Sequence, residues 1–239
     1  MPICHPIKAI FVHVPRCGGT SINSHLHKKG YLAPEKKMLN VSHADIYNMY
    51  GIYQFDGVSY ELDHATPDIF KMFVGDAFLN KYFKFTFVRN PYSRLYSEYK
   101  RKIIRNDKRF LDATGLTFEQ FVYKLNDNFH KVAYGTNNHF AVSHFVPQYL
   151  YVTDANGIDF VDYIGKFEML TEHWLEICFK LGIEQENLPR LFSTAEEKVK
   201  NNTNSNMLNN PIYVSREAKA LIYSMYSKDF EFFDYDPDY

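Results

Sequence analysis

Seven consecutive residues, Pro15-Arg16-Cys17-Gly18-Gly19-Thr20-Ser21, put a cation, two glycines and two hydroxyls between an apolar run and a helix-like pattern. That set suits the holding of an anion. Glycines let backbone N–H groups come close to a ligand. A helix start leaves its first N–H groups without intrahelical partners and carries partial positive charge, so phosphate or sulfate is a natural guest. Arg16 adds a full charge and a planar fork of donors, and Thr20 and Ser21 add hydroxyls. The order is not that of a Walker A loop, G-x-x-x-x-G-K-[ST], which carries lysine after its second glycine; here the cation precedes the glycines. A cysteine-phosphatase loop needs arginine six positions after the cysteine, where this chain has Asn23. Cys17 has the helix-start setting that lowers a thiol pKa, but without that arginine a nucleophilic role is not indicated. The plain alternative is a helix cap on a tight turn.

A second loaded stretch reads "FKFTFVRNPYSRLYSEY". Arg89 ends an apolar run, and Ser97 follows eight residues later, about two helical turns into the next helix. Arg94 lies between them. An arginine at a strand end and a hydroxyl on the following helix can grip a second phosphate from two sides.

The elements that must position these groups are readable. "AIFVHV" (9–14) and "YFKFTFV" (82–88) are short, apolar and β-rich, and are expected as buried strands. Residues 19–29 are expected as a helix with Thr20 or Ser21 near its start. Residues 30–63 are mixed and turn-rich. A helix is expected over 66–73 with Thr66 as N-cap and Pro67 in its first turn, and another from Asn90-Pro91. Further helices are expected over 117–125 with Thr117 as cap, from about Thr171 to Lys180 ending at Gly182, and over 215–233 with Ser215 as cap; "VDYIGKFE" (161–168) reads as a strand. Strands alternating with helices indicate an α/β fold, a parallel central sheet flanked by helices. Both loaded turns sit where a strand ends and a helix begins, the place where open α/β sheets bind ligands.

"VHVPRCGGTSI" followed by "FTFVRNPYSRLYSEY" resembles the PAPS-dependent sulfotransferases, in particular the carbohydrate O-sulfotransferase branch, the family 2-like group. "HFVPQYLYV" (144–152), "VDYIGKFEMLTEHW" (161–174) and "YSKDFEFFDY" (226–235) extend the resemblance along nearly the whole chain. It implies a P-loop NTPase-like sulfotransferase fold and a single domain over 1–239, with residues 30–80 and 105–160 shaping the acceptor cleft. It implies transfer of a sulfuryl group from PAPS to a hydroxyl, on a carbohydrate, with no metal. By resemblance Arg16, Cys17, Gly18, Gly19, Thr20 and Ser21 form the loop for the 5′-phosphosulfate, and Arg89 and Ser97 bind the 3′-phosphate. Two anion grips then hold opposite ends of one adenosine donor. The family usually has lysine where Arg16 stands; arginine keeps the charge that steadies the leaving phosphate but is planar and bulkier.

Within the same resemblance, "DHATPDIFKMF" matches a segment in which a histidine precedes a helix, making His64 the expected general base. His43, in "VSHADIYNMYG", also precedes a helical pattern and is the rival. An imidazole suits the work because its unperturbed pKa lies near ~6.5. His13, in the strand entering the first loop, is expected as a packed or hydrogen-bonded support residue. His144 and Gln148 match a segment near the family's active cleft and are candidate substrate contacts, with a structural turn at Pro147 as the alternative. Glu168 is expected as a buried support. Lys198 and Lys200 precede a polar stretch able to fold over a nucleotide or to stand in solvent. The cations of "YKRKIIRNDKRF" (99–110) read as a solvated face, or else as an attraction for an anionic acceptor.

The whole chain narrows the partners. Its 239 residues are 46% hydrophobic, enough for a sizeable core, and its formal charge of −1 lacks the basic excess of a nucleic-acid binder. Three cysteines without a CxxC pair form neither a disulfide framework nor a zinc pattern and fit a reducing, cytoplasmic setting. The N-terminus lacks the basic region and cleavage site of a signal peptide, and no apolar stretch reaches 18 residues, so no membrane span is expected; a chain trimmed of a Golgi-type anchor would read the same. The many Tyr and Phe suit stacking on sugar rings, though most are expected in the core. Two other functions share these features: a P-loop-type nucleotide kinase, and a non-catalytic nucleotide-binding module.

Overall fold

A computed structural model describes residues 1–32, 52–55, 58–134, 139–140, 144–189 and 214–238. In chain order the elements are β1 (Ile3–Cys4), β2 (Ala9–Val12), α1 (Gly19–Lys28), β3 (Ile52–Phe55), β4 (Val58–Glu61), α2 (Pro67–Val74), α3 (Asp76–Leu79), β5 (Phe83–Val88), α4 (Pro91–Arg105), α5 (Phe118–Tyr134), β6 (His139–Phe140), β7 (Tyr163–Lys166), α6 (Leu170–Leu181) and α7 (Arg216–Phe232). Every strand and helix expected in the sequence is present, and the helix expected over 117–125 runs on to Tyr134. The expected strand over 161–168 is shorter, because the chain turns into a 3-10 helix at Phe167–Met169. Glu168, in that turn, is exposed rather than a buried support.

The described residues of Met1–Val88, Thr136–Val142 and Gln148–Pro189 form one compact unit. Its main sheet has the order β1-β2-β5-β7. β2, β5 and β7 are parallel, with Val12 opposite Thr86 and Val88 opposite Lys166; β1 is an antiparallel edge. Burial on both faces explains the near-continuous apolar runs of β2 and β5. Phe11 and Phe85 stack at 5.2 Å, and the single Trp174 of α6 lies 6.3 Å from Phe85 and 5.3 Å from His25 of α1. Gly165 in β7 leaves room for Phe87, whose ring would come within 2.5 Å of any Cβ there. A second sheet, β3-β4-β6, takes β3 and β4 from the turn-rich region 30–63 and β6 from residues 139–140, where no strands were expected.

The described residues of Arg89–Gly135, Ser143–Pro147 and Arg190–Tyr239 form the other unit, a core of α4, α5 and α7 around Tyr99, Phe121, Phe145 and Tyr226. Its helices begin as their sequences direct. Asn90 Oδ1 accepts from the N–H groups of Tyr92 and Ser93, with Pro91 next to it. Thr117 and Gln120 form a reciprocal capping box on α5. Ser215 Oγ accepts from Ala218 N at the start of α7.

The cations of 99–110 are not one solvated face. Arg101 and Lys102 are buried, whereas Arg105, Lys108 and Arg109 are exposed. Glu98, 1% exposed, accepts two bonds from Arg101 at 2.7 and 2.8 Å and one from His144 Nδ1 at 2.9 Å. Arg101 also reaches Asp107 at 2.8 Å, and Lys102 Nζ donates to the Arg109 carbonyl at 2.6 Å. Charged groups enter this core because each finds an opposite charge or a carbonyl. Burial by itself would raise the Glu98 carboxyl; the neighbouring His144 and Arg101 outweigh it and hold the group well below the usual carboxylate range.

Replacing this carboxylate by an amide removes the negative charge that Arg101 and His144 share and one of its two acceptor oxygens. Glu98→Gln is expected to destabilise the chain by about 3–5 kcal/mol at neutral pH, read by urea unfolding. A carboxyl whose folded pKa lies below its unfolded value of ~4.3 stabilises above that value and loses the contribution as pH falls further. The gap between wild type and Glu98→Gln is therefore expected to narrow below about pH 4, and a gap unchanged with pH would refute the assignment.

Candidate active site

The first loop leaves β2 abruptly. Val14 N–H turns back to the Val12 carbonyl at 3.1 Å, and Thr86 Oγ1 of β5 donates to that same carbonyl at 2.6 Å. The His13 carbonyl accepts a hydrogen bond from the side chain of His64. Arg16 (φ 70°) and Gly18 (φ 86°) both lie in the left-handed region, and α1 begins at Gly19. The helix cap is Gly18, so Thr20 and Ser21 lie within the first turn, with Thr20 exposed and Arg16 half-buried. Gly19 and Thr20 stand too early in the helix for their N–H groups to reach an intrahelical carbonyl. An N-terminal first turn beside a guanidinium and hydroxyls has the make-up of an oxyanion site.

The Cys17 side chain faces inward. It is 1% exposed, with Sγ 3.3 Å from Gln148 Oε1 and 3.5 Å from the Pro15 carbonyl. What Cys17 can bring to an anion is its backbone N–H. Gln148, fully buried, serves as the acceptor behind the loop. The other two thiols are buried in the core, and burial pushes Cys4 up to about 12 and Cys178 up to about 11.

His64 sits in a 3-10 turn, Leu62–His64. Its Nδ1 lies 2.9 Å from the His13 carbonyl. A carbonyl only accepts, so Nδ1 carries the proton and Nε2 of the neutral ring carries the lone pair. The two imidazoles meet at 4.4 Å between centroids, and His13 stacks on Phe11 at 5.3 Å. His13 is thus the packed support that its position suggested.

In the other unit, Arg89 Nε donates to Ser93 Oγ at 2.9 Å, and that hydroxyl donates to the Asn90 carbonyl at 3.1 Å. Ser93 was not singled out in the sequence, although one helical turn after an arginine is the spacing at which a serine can hold its fork. Ser97 lies one turn further along α4 and is buried. Arg94 is structural: it donates to the carbonyls of His144 and Val146 at 2.9 and 2.8 Å and lies over the Tyr226 ring. His144 is fixed on Glu98.

Geometry therefore brings together His13, Gly19 and His64, and Cys17 and Gln148, among the sequence-expected residues, and sets Arg89 against Ser93 and His144 against Glu98, two partners the sequence did not single out. His43, Lys198 and Lys200 lie outside the described residues. Among the described residues no three His, Cys, Asp or Glu side chains are grouped to hold a metal ion, and no helix is long and apolar enough to cross a membrane.

An α/β sheet whose strand-to-helix turn gathers glycines, hydroxyls and an arginine defines a protein that handles anionic groups. A family model described as the sulfotransferase family matches residues 2–236, and the chain belongs to that family, a transferase of sulfuryl groups with the α/β sulfotransferase fold. No curated protein and no solved structure matches it.

The left-handed cap makes the first loop testable. A Cβ on Gly18 would add side-chain strain at φ 86° and stand 3.3 Å from Phe167 and Leu170. Gly18→Ala is expected to lower stability by about 1–2 kcal/mol in thermal unfolding. An unchanged melting temperature would mean that the loop does not hold this conformation.

Proposed function

We propose that the chain transfers a sulfuryl group from PAPS to a hydroxyl of a carbohydrate, with His64 as general base and no metal. The observation that carries this reading is the His64 bond to the His13 carbonyl, which sets the imidazole in the tautomer a base needs, two residues before the donor loop begins. The first loop takes the 5′-phosphosulfate through Arg16, the backbone of Cys17 to Gly19, and the hydroxyls of Thr20 and Ser21. Arg89 and Ser97 take the 3′-phosphate. Residues 1–239 act as one sulfotransferase domain, which a family match over residues 2–236 supports.

In the reaction an acceptor oxygen attacks sulfur in line. Its O–S bond forms as the bond from sulfur to the bridging phosphate oxygen breaks. The hydroxyl proton passes to Nε2 of His64, and adenosine 3′,5′-bisphosphate leaves with the bridging electron pair. Arg16 faces charge that grows on the leaving phosphate, so its contribution increases toward the transition state. Positioning and fixed charge do most of this work, as in phosphoryl transfer. His144, like His43, is a candidate acceptor contact in this scheme, through atoms other than the Nδ1 used on Glu98. Gln148, a sequence candidate for the same part, is fully buried on Cys17 and acts instead from behind the donor loop.

Calorimetry with adenosine 3′,5′-bisphosphate, and labelled PAPS offered with a panel of glycans, test the reading. Binding and transfer are expected, and ATP with magnesium should stabilise the chain less than the bisphosphate does. His64→Ala should lower turnover by ~10²–10⁴ while leaving bisphosphate affinity near that of wild type. Absence of both binding and transfer would end the proposal; full turnover in His64→Ala would remove this residue as the base.

A further inference from the structure

We propose that the His13 imidazole is a positioning residue that sets the donor loop and His64 against each other, and that residue 19 is glycine to make room for it. The inference rests on the reading of His64 as base and adds a residue to that site. Gly19 is not glycine for backbone freedom: its φ is not positive, unlike that of Gly18. It is glycine for space. A Cβ at position 19 would lie 1.9 Å from His13 Nε2 and 2.1 Å from Cδ2, far inside contact distance. The first residue of α1 therefore packs its backbone directly on the imidazole. That ring is 8% exposed and stacked on Phe11, so it has little room to move aside. The same ring meets the His64 ring at 4.4 Å, while the His13 carbonyl accepts from His64 Nδ1. One residue thus touches the start of the anion-binding helix and, through two separate contacts, the proposed base. The ring itself makes the contacts with Gly19 and with the His64 imidazole; the carbonyl that holds His64 Nδ1 belongs to the backbone of the same residue.

The position has two consequences that do not depend on knowing the acceptor. First, the steric conflict at residue 19 belongs to the His13 ring. Gly19→Ala is expected to melt below wild type, and the double variant His13→Ala/Gly19→Ala above Gly19→Ala alone, although it carries one more substitution. Second, the His13 ring, packed against His64, keeps that imidazole seated on the residue-13 carbonyl, a backbone acceptor that His13→Ala retains but no longer backs with a ring. Long-range ¹H–¹⁵N spectra of the full chain should show His64 protonated at Nδ1 in wild type, and mainly at Nε2, the preference of a free histidine side chain, in His13→Ala. A double variant that melts at or below Gly19→Ala, or a folded His13→Ala that keeps the Nδ1–H pattern, overturns the proposal. Should His13→Ala not fold, His13→Asn is read in the same way. Bisphosphate affinity is measured alongside: a wild type that binds none would sink the sulfotransferase donor reading, while melting and spectra would still decide the role of His13.

Discussion

The pairing of β2 with β5 sets where everything in the first loop can be. The strands run parallel with Val12 opposite Thr86, and the Thr86 hydroxyl donates to the Val12 carbonyl. Val14 N–H bonds back to that same carbonyl, which ends the strand in a three-residue turn. The His13 side chain packs on Phe11, behind the start of α1, while its carbonyl receives His64. Had the ladder continued two more residues, the His13 carbonyl would have been drawn into strand pairing and His64 would have had no fixed acceptor. The site is thus built by stopping a strand at one particular residue, and a hydroxyl on the neighbouring strand secures the stop.

A different economy governs α4. Its buried side carries Arg94, Glu98, Arg101 and Lys102, where an ordinary helix would carry leucines. Buried ion pairs give little net stability, because desolvation of the charges offsets their attraction. They do restrict geometry: Glu98 has acceptors for a bidentate arginine and one imidazole, and all three bonds are made. The segment from His144 to Val146 is held at two carbonyls by Arg94, at Nδ1 by Glu98 and at the Phe145 carbonyl by Tyr226. A core of leucines would hold that segment with less directional preference. Directional bonds thus fix the segment His144–Val146 against α4, the helix that follows Arg89 and carries Ser97.

The sequence made the three parallel strands of the main sheet, the starts of the longer helices and both loaded turns legible, because each is written locally, whereas the two-residue edge strand β1 and the short α3 were not expected. A β-branched run, an Asn-Pro or Ser cap and a glycine pair need no distant partner to be recognised. What it hid was long-range. Arg101 and Lys102 look solvated until Glu98 and Asp107 are placed against them, and sequence distance alone does not show that His144 would be the third partner. Cys17 looks like a thiol at a helix start until Gln148, 131 residues away, is found behind it. The strands β3, β4 and β6 were missed because all are short and lie in mixed rather than apolar segments, and because β6, two residues long, pairs with β4 from a separate part of the chain. Ser93 was hidden differently: it is local, but beside Ser97 a second hydroxyl carries no distinguishing signal.

Arg16 joins the backbone and the chemistry most directly. It occupies the left-handed region at φ 70°, where a residue with a Cβ costs roughly 1–2 kcal/mol relative to its ordinary conformation. Glycine would avoid that penalty, and glycine is what the chain uses at the next left-handed position, Gly18. A charged side chain kept where a glycine would be easier argues that the guanidinium offsets the strain through something it does. Pro15 fixes the turn before it and the inward-facing Cys17 anchors the turn after it, so the αL backbone is imposed from both sides. A cation mounted on so constrained a backbone has lost much of its freedom before any anion arrives. In the proposed donor loop, arginine, with its charge spread over a planar fork, would use that preorganisation through paired hydrogen bonds in a way that a flexible point charge on lysine does not. Arginine in place of the lysine that the resemblance implies would then fit the loop that carries it: the fork needs a fixed origin, and the strained turn provides one.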